Sequence, residues 1–175
     1  MKRIVLVVIG AIILSLSASA GRNDRKGAFA WGAEIGPAID LCGDDMSSIN
    51  FGASFGYRNS FIDFAGVGAE VNMMMSNSTR MFPVFAAFKS SFSHEHKLIF
   101  ADFRIGCAFA NAFGEKSQTV FYTSPGVGFN LAGNYKFQSY LTLRYIYSSM
   151  NFPAMKVSNE VTGTNQIAIS IGITF

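Results

Sequence analysis

Charged residues are scarce in this sequence: Asp, Glu, Lys and Arg make up 14% of its 175 residues, against roughly a quarter in an ordinary soluble domain. Hydrophobic residues make up 50%, and 18 residues are Phe. A chain of this length is expected to form one domain, and one small core cannot take up that much apolar surface. The composition therefore predicts that part of the surface faces an apolar medium.

Long apolar runs are lacking beyond Gly27. A transmembrane helix needs roughly 18 or more consecutive apolar residues, and no stretch of that kind follows Gly27. The sequence therefore predicts that the exported chain crosses no membrane as a helix. Its apolar residues recur with a period of two rather than about 3.6, which indicates β-strands.

The N-terminus has the features of a secretory signal peptide. Two basic residues precede an apolar segment at 4–16, and Ala18 and Ala20 follow in a small-x-small cleavage pattern. The segment is shorter than the roughly 20 apolar residues that span a bilayer. We expect cleavage after Ala20, so that 1–20 is the signal peptide and 21–175 is one exported domain.

Charge of one sign is not in large excess. Two of the three net positive charges come from Lys2 and Arg3 within the signal peptide, so the exported part is close to neutral. Such a chain is not expected to bind nucleic acid. The sequence also lacks a Gly-rich phosphate loop and a cysteine cluster, so no cofactor is expected.

Cysteine is rare, and Cys42 and Cys107 are the two examples. Export would carry both to a compartment where a disulfide is permitted. Cys107 falls at an outward-facing position of a predicted strand and Cys42 in a predicted loop, so two unpaired thiols are favoured over a bridge. Neither cysteine directly follows the signal peptide, and no lipid anchor is implied.

The C-terminal run shows the alternation most clearly. One face is oily and consists of Ile167, Ile169, Ile171, Ile173 and Phe175. The other face is small and consists of Ala168, Ser170, Gly172 and Thr174. A soluble sandwich usually has charged outward residues, whereas a membrane barrel has lipid outside and a narrow lumen that admits small side chains. The pattern predicts an all-β fold, a closed antiparallel up-and-down transmembrane β-barrel.

The same alternation divides the exported part into about eight strands. We predict strands near 27–36, 49–58, 61–73, 81–91, 97–109, 119–131 and 135–147, followed by the C-terminal run. Short and longer connectors should alternate, as in barrels with turns on one rim and loops on the other. The long ones are predicted at 37–48, 110–118 and 148–164.

Two consequences of backbone hydrogen bonding follow. An unpaired strand edge in hydrocarbon would leave N–H and C=O groups unsatisfied, so the first and last strands should pair. Pro125 cannot donate a ladder hydrogen bond, which predicts a bulge or a local irregularity in the sixth strand.

Six charged residues fall at inward-facing positions. They are Glu34, Glu70, Lys89, Asp102, Arg104 and Arg144. Buried charges need partners, so we expect a structural network of salt bridges that fills the lumen. A proton or ion pathway is the alternative, but the interior of an eight-stranded barrel is just filled by side chains.

Aromatic residues near the predicted strand ends would form two interfacial girdles. The turn-side set is Trp31, Tyr57, Phe61, Phe129 and Phe137. The loop-side set is Phe109, Phe121, Tyr145 and Tyr147.

In its signal peptide, its Gly-rich strands and its terminal Ile173-Thr174-Phe175, the chain resembles the small eight-stranded outer-membrane barrels of Gram-negative bacteria, the OmpX and OmpA-domain type. The resemblance covers the whole exported part. It implies an integral location in the cell outer membrane and a C-terminal signal, Ile173 and Phe175, read by the barrel-assembly machinery. Ile173 stands where a second aromatic is common. The resemblance implies fold and location, and no activity.

The leading functional hypothesis is a non-enzymatic barrel in contact with outer-membrane lipid and lipopolysaccharide. Its loops at 37–48, 110–118 and 148–164 would contact envelope components, host surfaces or other proteins. The alternatives are a narrow channel or hydrophobic-solute conduit, and a lipid-modifying enzyme. Outer-membrane enzymes of this architecture resemble one another in placing catalytic groups toward the outer rim, whereas His94 and His96 fall on the predicted periplasmic rim.

Candidate metal ligands are few. His94 and His96 lack a third ligand nearby, and the short polar segment around them fits a turn. Asp40, Asp44 and Asp45 lack the spacing and the Gly of an EF-hand loop. Solvated loop acids are the simpler interpretation, and no metal site is predicted.

Overall fold

A computed structural model describes residues 28–175 apart from 44–45, 59–61, 76–78, 93–97, 112–116, 134–136 and 150–162. Within these residues the chain forms eight β-strands. They are β1 (Ala28–Asp40), β2 (Ser48–Arg58), β3 (Phe64–Met74), β4 (Arg80–Ser91), β5 (Ile99–Asn111), β6 (Gln118–Gly133), β7 (Gln138–Ser148) and β8 (Thr164–Thr174). The predicted signal peptide, with Ala18 and Ala20, lies outside the described residues. In the described part no helix is long and apolar enough to span a membrane.

The sheet closes on itself. Each strand pairs antiparallel with the next along the chain, and β1 pairs with β8. The prediction of an all-β, closed antiparallel barrel of eight strands is confirmed. Closure gives both edge strands a partner, which is the condition for placing a sheet in hydrocarbon.

The side-chain period of two separates the outside of the barrel from its lumen. In β8, Ile169 and Ile171 are 48% and 52% exposed, whereas Ala168 and Ser170 are fully buried. The other strands alternate in the same way and complete an apolar outer surface. It includes Trp31, Ile35, Phe51, Phe55, Val67, Val84, Phe88, Phe103, Ile105, Val127, Leu141 and Leu143. Soluble proteins rarely expose so large an apolar surface, which suits lipid contact.

Outward-facing aromatic residues lie toward both ends of the barrel. Those exposed at the turn end are Trp31, Tyr57 and Phe129, and those at the loop end are Phe109, Phe121 and Tyr145. Phe137 and Tyr147 are half-buried, and Phe61 is outside the described residues. The Tyr145 hydroxyl donates to Asn165 Oδ1. Trp31 and the tyrosines combine an apolar ring with a polar tip, which suits the membrane interface.

Two strand ends differ from the prediction for identifiable reasons. β1 continues through Pro37 to Asp40 rather than ending at residue 36, because a strand residue directs its N–H toward one neighbour and Pro37 weakens pairing on that side alone. β3 begins at Phe64 rather than at residue 61. Continuing the alternation backward would turn the Asp63 carboxylate outward against lipid, which is costly.

The connectors differ less in length than predicted. They span 41–47, 59–63, 75–79, 92–98, 112–117, 134–137 and 149–163. The last is much longer than the others. The others are similar in length and do not alternate between short and long, so that prediction is wrong for them. Strands continue until their side-chain alternation ends, which shortens the loops predicted at 37–48 and 110–118 from both sides.

Pro125 interrupts one ladder of β6 and leaves the other continuous. Pairing with β7 is broken between Thr123 and Gly126 without a change of register, while pairing with β5 continues through Pro125. The register shift of β6 lies further on, between Asn130 and Ala132. The irregularity predicted at Pro125 is therefore a gap in one ladder, and the bulge lies elsewhere.

The C-terminal residue holds the barrel seam at the turn end. Phe175 N donates to Trp31 O at 2.8 Å, and Trp31 N donates to Phe175 O at 3.1 Å. The rings of Trp31 and Phe175 stack with centroids 4.7 Å apart, and the Phe137 ring lies 5.3 Å from that of Phe175. Phe175 therefore joins the start of β1 to the segment that leads into β7.

We expect Phe175→Ala to lower the free energy of unfolding by about 1–3 kcal/mol, because it removes two aromatic contacts worth about 0.5–1.5 kcal/mol each. A urea titration of the detergent-refolded protein, followed by gel migration, measures the loss. Phe129→Ala is a matched control, since Phe129 is 41% and Phe175 38% exposed, but Phe129 lies on β6 away from the seam. Equal losses in the two variants would contradict a seam role for Phe175.

Candidate functional site

Charged side chains from four strands meet in the middle of the lumen. They are Glu34 of β1, Glu70 of β3, Asp102 and Arg104 of β5 and Arg144 of β7, called the luminal ion cluster below. Each points into the lumen, because inward positions alternate with lipid-facing ones along a strand. Small residues share the inward face of each strand with it. The side chains are at most 7% exposed.

Arg104 is the centre of the luminal ion cluster. Its Nη1 donates to Glu34 Oε1 and Glu70 Oε1, both at 2.5 Å, and its Nη2 donates to Glu34 Oε2 at 2.7 Å and Asp102 Oδ2 at 2.8 Å. Its Nε donates to Asp102 Oδ1 at 3.2 Å. One guanidinium thus binds carboxylates from three strands, two of them in the bidentate geometry that makes such pairs strong.

Arg144 joins the cluster from β7, which only β6 separates from the strand of Arg104. Its Nη1 donates to Glu70 Oε1 at 2.8 Å, and its Nη2 lies 3.0 Å from Glu34 Oε1. Nη2 also donates to Ser170 Oγ at 3.2 Å. Glu34 and Glu70 are therefore each shared between two arginines, which links β1, β3, β5 and β7 across the lumen.

Two tyrosine hydroxyls complete the coordination of the shared carboxylates. Tyr122 Oη donates to Glu70 Oε2 at 3.2 Å, and Tyr140 Oη donates to Glu34 Oε2 at 3.4 Å. A buried carboxylate needs several donors to offset its lost hydration. The cluster is thus a connected polar network rather than a set of isolated pairs.

Glycines make room for these long side chains. A Cβ on Gly52 would lie 2.9 Å from Glu70 Cγ and 3.1 Å from Glu34 Cγ, and one on Gly126 would lie 2.6 Å from Arg144 Cγ. A side chain at either position would displace a member of the cluster. The Gly-rich lumen therefore serves to admit the charged side chains.

Lys89 lies below the cluster, on the side of the turns. It is directly opposite Asp102 in the β4–β5 register. Its Nζ lies 3.9 Å from the ring centroid of Tyr140 and 5.7 Å from those of Phe64 and Phe100, an arrangement that favours a cation. Lys89 also balances the extra carboxylate of the cluster, so the six luminal charges cancel.

Aromatic rings fill the turn-side half of the lumen. Phe100 and Tyr140 meet edge to face with centroids 5.7 Å apart. The Phe100 ring occupies the space that a side chain on Gly128 would need, and the Tyr140 ring does the same at Gly172. Together with the luminal ion cluster, these rings close the barrel from its turn end to its middle.

The loop-side half of the lumen combines apolar side chains, among them Met81, Ala108 and Ile146, with polar ones that are less completely paired. Asn50, Asn72, Thr79 and Gln166 are at most 2% exposed. Each has at least one side-chain nitrogen or oxygen without a hydrogen-bond partner among the described residues. Native proteins usually satisfy such groups with ordered water.

The remaining candidates from the sequence are the two cysteines, three loop aspartates and two histidines. Cys42 and Cys107 are free thiols. Asp40 accepts from the backbone N–H of Cys42 at 3.1 Å and of Met46 at 3.4 Å, and so shapes the first loop. The residues outside the described part are His94, His96, Asp44 and Asp45. In the ranges that are described, no group of three or more His, Cys, Asp or Glu residues is placed to hold a metal ion.

Sequence reasoning placed the charged residues in the lumen but missed three of their aromatic neighbours. Tyr140, Phe100 and Phe85 also point inward, and Arg104 lies 5.0 Å from the centroid of the Phe85 ring. The alternation of inward and outward positions could have placed Tyr140 in the lumen, because it lies on the same face of β7 as Arg144. Large rings were not expected in a narrow lumen, because the glycines that accommodate them lie on other strands.

No family model and no curated protein matches the chain. Among solved structures, a de novo designed transmembrane β-barrel matches with a TM-score of 0.52 and 12% identity, over 83% of this chain and 95% of that one. Neisserial surface protein A (NspA) matches with a TM-score of 0.47 and 14% identity, over 83% and 94% of the two chains. The attachment invasion locus protein Ail of Yersinia pestis matches with a TM-score of 0.45 and 14% identity, over 85% and 97%. At these identities the likeness is one of fold alone, and the fold is that of a transmembrane β-barrel.

Proposed function

We propose that the exported chain is a small integral outer-membrane β-barrel protein whose role is structural or surface-interacting rather than catalytic. The observation that carries this proposal is the contrast between an apolar outer surface and a lumen whose middle is filled by charges paired with one another. The outer surface supports integration into lipid. The filled middle argues against passage of solutes, which leaves the loops to contact partners.

The topology supports one assignment of the two rims. β1 begins and β8 ends at the same rim, and in outer-membrane barrels both termini face the periplasm. The connectors 41–47, 112–117 and 149–163, which lie within the predicted loops, would then face outward. There they would meet lipopolysaccharide and surface partners, while Ile173 and Phe175 would present the signal for the barrel-assembly machinery at the inner rim.

Gel migration tests the proposal. A closed membrane barrel resists SDS until it is heated, so we expect the membrane-extracted protein to migrate faster unboiled than boiled and to require detergent for extraction. The control is the same sample unfolded in urea before loading, which should migrate like the boiled one. Identical migration of all samples, with extraction by buffer alone, would overturn the proposal.

The second candidate is a narrow channel or hydrophobic-solute conduit. Of these two, the polar groups of the loop-side lumen that have no partner among the described residues favour the channel. Planar-bilayer recordings separate the two: the proposal requires an absence of conductance, whereas a channel requires a conductance that depends on Lys89 or Arg104. A lipid-modifying enzyme would instead change the lipid A profile on overexpression. That change would have to disappear when His94 and His96 are replaced by Ala.

A further inference from the structure

Arg80 is the one charged residue of the described strands that lies on the outer face of the barrel. It is exposed and begins β4, and the next residue, Met81, is fully buried. The other charged residues of these strands, namely the six luminal ones with Asp40 and Arg58, fall at inward positions. A charge on the outer face is costly at the bilayer midplane and nearly free of cost at the interface. Arg80 therefore marks a level at which lipid headgroups lie.

The outer surface changes from aromatic to polar at this level. Arg80 pairs with Asn111 of β5, and the next outward pair toward the middle of the barrel is Phe82 with Phe109. Phe82 and Phe109 are 40% and 45% exposed, and Asn111 is exposed as well. Two residues along a strand span about 7 Å, so the boundary between the two kinds of surface is sharp.

Apolar side chains reach the level of Arg80 on its other side. Arg80 pairs with Met73 of β3, which is 47% exposed, and Met75 lies still closer to the loops and is 61% exposed. Arg80 therefore leaves the barrel wall beside apolar surface as well as polar surface. A guanidinium is weakly hydrated and suits such a boundary when an anion pairs with it.

The described strands supply no such anion on their outer face. Their acidic residues fall at inward positions, and the described ion pairs join luminal carboxylates to Arg104 and Arg144. Outside the barrel, the neighbours of Arg80 are further hydrogen-bond donors. Thr119 of β6 is exposed and pairs with Phe109, which makes it a diagonal neighbour of Asn111. Arg80, Asn111 and Thr119 are called the Arg80 patch below.

The turn end of the same strands has a different outer surface. The exposed residues there include Ile99 of β5 and Phe129 and Leu131 of β6, which are 40%, 41% and 57% exposed. No cation of the described strands accompanies them at an outward position. The Arg80 patch therefore belongs to the loop rim and is not a feature that both membrane interfaces share.

We propose that the Arg80 patch binds the phosphate headgroup of an outer-leaflet lipid, whose acyl chains lie along Phe82 and Phe109. This inference rests on the proposed function, which directs the loop rim outward. A guanidinium can bind phosphate oxygens in a bidentate geometry, and the amide of Asn111 and the hydroxyl of Thr119 are donors for the remaining oxygens. Aromatic rings directly below a headgroup are typical of a membrane interface.

Lipid A, whose headgroup carries phosphate, is the probe for a titration of the detergent-purified barrel followed by native mass spectrometry. We expect saturable binding to the wild type, and weaker binding of lipid A from which the phosphates have been removed. Arg80→Gln should weaken lipid A binding by about threefold to fivefold, the effect of one exposed ion pair, and should remove the preference for the phosphorylated form. Arg80→Lys keeps the charge and should lose less.

Arg58→Gln is the matched control, because it removes the same charge from an inward position at the turn end of β2. It should bind lipid A as the wild type does. Adding Met73→Arg to Arg80→Gln returns a cation to the directly paired outward position on β3, and it should recover part of the affinity. An exposed ion pair adds little to folding stability, so the Arg80 variants should keep heat-modifiable migration.

The proposal is overturned if the wild type and Arg80→Gln bind lipid A equally, or if Arg58→Gln weakens binding as much as Arg80→Gln does. Equal binding of lipid A with and without its phosphates would overturn it too, since the acyl chains alone would then account for binding. Displacement of lipid A by inorganic phosphate at a similar concentration would show a site for free anions and contradict the choice of a lipid. Loss of heat-modifiable migration in the wild type would instead contradict the proposed function.

Discussion

Arg104→Met is expected to lower the free energy of unfolding by about 3–5 kcal/mol, the usual effect of removing one partner from a buried ion pair. Arg104 is 3% exposed and binds the carboxylates of Glu34, Glu70 and Asp102. Met matches much of its volume, so the loss reports the uncompensated charges rather than a cavity. Urea unfolding in lipid vesicles, followed by gel migration, measures it.

A surface arginine provides the control for this prediction. Arg80 is exposed, and Arg80→Met should change the unfolding free energy by less than about 0.5 kcal/mol. Adding Glu34→Gln to the Arg104→Met variant should recover part of the loss, because one fewer carboxylate is left without its guanidinium. Glu34→Gln alone should destabilise the wild type. Similar effects of the two arginine replacements would rule out a stabilising role for the luminal ion cluster.

Gly106→Val should prevent stable closure of the barrel, at a cost beyond the roughly 1–3 kcal/mol of ordinary overpacking. A Cβ on Gly106 would lie 2.7 Å from Phe85 Cα and 3.0 Å from Val84 C, both backbone atoms. No change of side-chain rotamer can relieve that clash, so β4 and β5 would have to separate. The fraction of heat-modifiable protein after refolding measures the effect.

The control for Gly106 is a glycine with open surroundings. Gly43 has a φ of +80°, and a Cβ on it would have no atom of the described residues within 4 Å. Asn tolerates such a backbone conformation, so Gly43→Asn should refold as the wild type does. Gly106→Ala should fall between the wild type and Gly106→Val. Normal refolding of Gly106→Val would show that the β4–β5 distance is more adaptable than the close approach implies.

Much of the fold could be predicted because its signals are local. The alternation of Ile169 and Ile171 with Ala168 and Ser170 is a property of consecutive residues, and it identifies a lipid-facing and a luminal side without any knowledge of neighbouring strands. The same rule placed Lys89 in the lumen. Strand ends such as that of β1 were less predictable, because Pro37 weakens pairing with one neighbouring strand only and the strand continues through its pairing with the other.

The candidate site could be predicted in part. The alternation along each strand places Glu34, Glu70 and Arg104 in the lumen, but it does not give the height of each side chain along the barrel axis. Which of them meet depends on the register between all eight strands, and on closure between β1 and β8.

The amino-acid sequence by itself determined the class of molecule: eight alternating segments, one oily face, small or charged residues opposite, and an aromatic C-terminal residue. These follow from the covalent geometry of a strand, in which successive side chains point to opposite faces. The tertiary structure alone decided that Arg104 binds three carboxylates, that Tyr140 reaches Glu34, and that Phe175 stacks on Trp31. Those contacts join residues far apart in the chain, because only the register of a closed sheet brings distant inward positions to one height.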